Sequence, residues 1–105
     1  MQPDNYTERE AAVSMINEFK HDLYSEAVRF ILEDRRTKGQ ASIPTEVVNR
    51  YRDRVDQIVF LKGINTQELR AELEKWSLGY EKGAQEGIRI FLNHIFIPQG
   101  MGKEL

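Results

Sequence analysis

The chain has 105 residues, 40% hydrophobic and 30% charged, with a formal net charge of −2. That length suits one ordinary domain and is short for two, and the apolar share is enough for a core. A sequence pI near 5.7 gives no overall attraction to nucleic acid or anionic membranes, and the absence of cysteine removes disulfides, thiolate chemistry and Cys-based metal sites.

Residues 1–10 are polar and acidic, without the basic start and apolar stretch of a secretory signal. The longest near-continuous apolar run, 88–97, contains Arg89, Asn93 and His94 and is too short to span a membrane. The expectation is a cytoplasmic protein with no membrane span.

Thr7 and Glu10 have the spacing of a capping box, which places the first helix start there. Ala12, Met15, Ile16, Phe19, Leu23, Ala27, Phe30 and Ile31 follow at steps of mostly three and four, the period of one helix face. Arg35, Arg36 and Lys38 suit the negative end of that helix, and Gly39 suits its stop.

After a short loop, Pro44 is expected in the first turn of a second helix, with Ser42 or Thr45 as its cap. Val47, Val48, Tyr51, Val55, Ile58 and Val59 form its stripe. Residues 58–61 are rich in strand formers, but the steps of three and four favour helix. Gly63 then ends the helix, Asn65 with Glu68 reads as a second capping box, and Ile64 with Leu69 reads as a hydrophobic staple.

A third helix is expected from Thr66 toward Ile95, with Pro98 and the following glycines ending the order. The resulting expectation is a single all-α domain, an antiparallel bundle of three long helices over about 7–37, 44–62 and 66–96 with a flexible tail at 98–105. A break near Gly79, Gly83 and Gly87 would give a fourth helix.

At roughly 1.5 Å per residue the three helices measure about 45, 28 and 45 Å, so the third overshoots the first by about 15 Å. The overshoot, 88–97, looks apolar nearly all round, and such a helix is normally buried. Either the third helix bends and folds back, or it docks on a second copy or another protein. The three glycines, four residues apart, mark a close helix contact, a kink or a groove for a partner helix. On this reading Trp76, Tyr80, Gly83, Gly87, Phe91, Leu92, Ile95, Phe96 and Ile97 are the candidate protein interface, and a homodimer is favoured.

No constellation points to catalysis or a cofactor. Glu18 and His21 make an E-x-x-H pair, but a di-metal bundle site needs a second such pair, and Phe91 stands three residues before His94. Serine occurs only at Ser14, Ser25, Ser42 and Ser77, none in a nucleophile elbow, and no phosphate loop is present. A basic surface from Arg35, Arg36, Lys38, Arg50 and Arg54 supports the alternative of nucleic-acid binding, although Glu46, Asp53 and Asp56 interleave with it. The function expected from sequence is therefore a non-enzymatic, protein-binding regulator or adaptor: an inhibitor, an immunity or anti-host factor, or a small subunit of a complex.

Overall fold

A computed structural model describes residues 4–96, with side chains from Arg9 onward. Four helices follow in order: α1 (Asp4–Arg36), α2 (Thr45–Lys62), α3 (Thr66–Ser77) and α4 (Lys82–Ile95). The all-α bundle is as expected, and the third predicted helix is broken into two at residues 78–81, the four-helix form of the expectation. Helix α1 is the spine, with α2 and α4 packed along it and running antiparallel to it. Helices α3 and α4 form an antiparallel hairpin, tied by the Arg70 guanidinium donating to Asn93 Oδ1 at 2.6 Å.

Several boundaries differ from the sequence reading. Helix α1 begins at Asp4, so Thr7 lies inside it instead of capping it. Asp4 and Asn5 are residue types equally suited to a helix start. At α2 neither Ser42 nor Thr45 is the cap. Pro44 occupies that position with extended geometry, and its carbonyl accepts from the amides of Val47 and Val48 at 3.0 and 3.2 Å. The fixed proline φ suits this position as well as the turn after it.

At the α2–α3 junction the glycine stop and the capping box agree with their reading. Gly63 is left-handed at φ 73° with its amide donating to Val59, the Asn65 side chain accepts from the Glu68 amide, and the Glu68 carboxylate accepts from the Asn65 amide.

The break between α3 and α4 resolves the length mismatch. Residues 78–81 turn the chain back, and Gln85 Nε2 donates to the carbonyl of Tyr80 at 2.6 Å, satisfying a group the interrupted helix leaves open. Once α4 is a separate helix, its buried positions are Ala84, Gly87, Ile88, Phe91, Leu92 and Ile95. They form one stripe at steps of three and four, so the segment is amphipathic and not apolar all round. The stripe joins Ile16, Phe19, Leu23 and Ala27 of α1, Tyr51, Val55 and Ile58 of α2, and Leu69 and Leu73 of α3 in one core.

The three glycines have separate roles, because Gly79 lies in the turn and only Gly83 and Gly87 share α4. A Cβ on Gly87 would lie 2.7 Å from the Ala27 carbonyl oxygen and 2.9 Å from Ile31 Cγ1, so α4 touches the α1 backbone here. A Cβ on Gly83 would meet only the flexible end of Arg35, at 3.4 Å. Gly87→Ala is therefore expected to destabilise the fold by about 1–3 kcal/mol through overpacking against backbone. Gly83→Ala should be neutral or stabilising by up to about 1 kcal/mol through helix propensity. Urea unfolding of the two variants checks this, and equal effects would show that the contact at Gly87 is not tight.

Candidate binding groove

On α1, residues 22, 25, 26, 29, 30 and 33 share one face, with 37 just past the helix end, and 47, 50, 51 and 54 share one face of α2. These faces and the connection between the helices border two adjoining cavities. The first, of about 390 Å³, is lined by the apolar side chains of Phe30, Ile43, Val47 and Phe91, with Glu26, Arg29 and Glu33 from α1. The second, of about 280 Å³, is lined by Asp22, Ser25, Glu26, Arg29, Arg50, Tyr51 and Arg54. Glu26 and Arg29 belong to both, so the two make one groove with an apolar half and a charged half.

The connection is held in place by the end of α1. Lys38 and Gly39 are both left-handed, at φ 58° and 85°, and the Gly39 amide donates to the Asp34 carbonyl at 2.7 Å. The Asp34 carboxylate also accepts from the Ala41 amide at 3.2 Å. Asp34 thus fixes the chain just before Ile43, which packs against the core from the connection.

In the charged half, Arg54 donates to Asp22 at 3.0 Å and lies over the rings of Phe19 and Tyr51, at 5.4 and 5.5 Å. Tyr51 meets Phe19 and Phe91 edge-on, at centroid separations of 5.3 and 6.3 Å. Burial pushes the Tyr51 hydroxyl up to about 12, with the negative charges of Glu26 and Asp22 adding to it and Arg54 and Arg50 opposing it. Among the described residues Asp22 and Glu33 have ion pairs, with Arg54 and Arg36, whereas Glu26, Arg29 and Arg50 have none.

The interface candidates do not form one surface. Gly87, Phe91, Leu92 and Ile95 are buried within the chain, and Phe96 packs against the same core. Their burial inside the monomer accounts for the apolar segment without a second subunit, which removes the ground for assigning them to an exposed end. Ile97 lies outside the described residues. Trp76 and Tyr80 are partly buried, edge to face at 5.4 Å, with Tyr80 stacked on Tyr24 at 4.6 Å.

The nucleic-acid candidates are also dispersed. Arg54 is held by Asp22, and Arg36 is held by Glu33, whose hydrogen bond and charge raise the guanidinium above its ordinary value. Arg35 lies against Gly83, Lys38 is a left-handed turn residue, and Arg50 lines the groove. Glu18 and His21 are exposed, and among the described residues no group of three or more metal-binding side chains occurs.

Sequence reasoning placed Phe30 and Val47 on core-facing stripes and passed over Ile43. The available signal was an isoleucine in an otherwise polar loop, immediately before Pro44. It also passed over Phe60, which is 83% exposed on α2.

Because the raised Tyr51 value favours the protonated form in the folded state, its contribution to stability is intact below about pH 10, the unfolded value, and is lost as pH rises toward 12. Absorbance titration of the protein against Tyr51→Phe should show one late tyrosine ionisation missing from the variant. A Tyr51 that titrates with free tyrosine would contradict the burial assignment. In the comparisons with known proteins, no family model, no curated protein and no solved structure matches the chain.

Proposed function

We propose that this protein is a non-catalytic binding module of the regulatory or adaptor kind, which receives part of a partner protein in the groove between α1 and α2. The observation that carries the reading is the cavity of about 390 Å³ bordered by Phe30, Ile43, Val47 and Phe91, beside a charged cavity that shares Glu26 and Arg29 with it. An apolar site of this size with a few placed polar groups is the usual form of a binding pocket.

The groove reaches from Asp22 to Glu33 along α1 and on to Thr37 just past the helix end; its helical part alone is about 16 Å at 1.5 Å per residue, the length of a three-turn helix and longer than a compact small ligand. The partner is another protein or a second copy of the chain, and a cytoplasmic setting agrees with a sequence that contains no cysteine. The nucleic-acid alternative gains no support from the geometry, since Arg36 and Arg54 are engaged by carboxylates within the chain.

The test is photo-crosslinking in cells that make the protein, with the reactive side chain at exposed Ser42 on the groove or at exposed Asp56 on the other side of α2. A protein trapped from Ser42, weakly or not at all from Asp56, and lost when Val47→Asp is added is the expected result. Trapping that is equal from both positions, or unaffected by Val47→Asp in a variant that keeps its helical circular dichroism, would reject the groove.

A further inference from the structure

The charges of the groove specify the occupant further, an inference that rests on the groove being the binding site. The charged half is lined by three guanidiniums, Arg29, Arg50 and Arg54, against two carboxylates, Asp22 and Glu26; Arg54 is engaged by Asp22, and among the described residues Arg29, Arg50 and Glu26 have no ion pair. A ligand bearing a negative group at this point meets a surplus of positive charge. Arg29 and Arg50 also bring planar donor forks suited to a carboxylate.

Among the described residues neither guanidinium has a hydrogen-bond or ion-pair partner, in contrast to Arg52, which donates to the carbonyls of His94 and Ile95 at the end of α4. The separation between the apolar and charged halves is also set. On α2, Val47 lies one turn from Arg50 and two turns from Arg54, and on α1, Arg29 is adjacent to Phe30.

We infer that the occupant is an amphipathic helical segment of a partner protein whose apolar anchor side chain enters the Phe30–Val47 cavity and whose Asp or Glu, one helical turn away, is received by Arg29 and Arg50. The step from Val47 to Arg50 is about 4.5 Å along the helix at 1.5 Å per residue, close to the roughly 5.4 Å of one turn. The apolar side chain supplies burial, and the carboxylate selects which segments bind and in which direction they lie.

The experiment is selection of a displayed library of 15-residue helical peptides against the full chain, with affinities read by fluorescence anisotropy at low and moderate salt. The expected outcome is enrichment of a large apolar residue with Asp or Glu three or four positions away. Arg50→Glu should weaken such peptides about tenfold or more, and exchanging their acidic residue for Lys should restore binding to that variant. Peptides that depend on Val47 but show no acidic preference, or no rescue by Lys, would overturn the inference and leave the groove reading intact. If no peptide is enriched, or binding is indifferent to both Val47→Asp and the exposed-rim variant Ser42→Trp, the groove reading fails together with the inference.

Discussion

The fold depends on the contact between Gly87 of α4 and Ala27 of α1, where a hydrogen atom in place of a side chain lets one helix rest on the backbone of the other. At Ala27 itself the side chain is a single methyl group, fully buried. Small residues on both sides bring the helices close, and from this crossing the neighbouring stripes engage. One turn beyond Gly87, Phe91 comes within 5.9 Å of the Phe30 ring and 6.3 Å of Tyr51, so one phenyl group ties α4 to both walls of the groove. A wider crossing would withdraw Phe91 and leave the groove without its base. Packing at the glycine and the shape of the proposed site are therefore one constraint.

The charged residues divide into those that hold the bundle and those left over. Arg52 places positive charge and two donors at the end of α4, where carbonyl groups lack helical partners and the helix dipole is negative. Glu72 of α3 lies 3.4 Å from Lys62 of α2 and 4.0 Å from Lys20 of α1, linking three helices at one side of the bundle. Pairs as exposed as these contribute little energy, roughly 0–1 kcal/mol each, and their effect is on register more than on stability. Glu26, Arg29 and Arg50 are among the charged residues without such a role, and they are the ones that line the groove. Their place beside an apolar cavity, together with the lack of an ion pair among the described residues, is what makes them informative about a ligand.

What could be read from the sequence was what is decided locally. The Gly63–Asn65–Glu68 junction was legible because a left-handed glycine and a reciprocal cap are complete within six residues. The end of α3 was harder. Gly79 does not adopt a left-handed φ, and the open carbonyl of Tyr80 is satisfied by Gln85, a residue of the next helix. Without that boundary, residues 88–97 were taken as one window that ran past the end of α4 at Ile95, and Phe96 and Ile97 blurred a stripe that is regular from Ala84 to Ile95. The interface assignment on that segment followed from the same misplaced boundary. The groove could not be read at all, because no periodicity reports how far apart two packed helices stand.

That separation is itself explicable. Near its charged end the α1–α2 seam is filled by Phe19 and Tyr51 and braced by Arg54 on Asp22. Toward the connection the opposing side chains are Phe30 and Val47, which line a cavity of about 390 Å³ instead of closing on each other. The connection cannot collapse into that space, because Asp34 holds Gly39 and Ala41 while Pro44 has no amide hydrogen and a fixed φ. A side chain arriving from outside would thus gain apolar contact without the chain having to order a loop around it. Since loop ordering is a principal cost of association, a cavity held open by backbone hydrogen bonds is suited to binding in a way that a flexible surface is not.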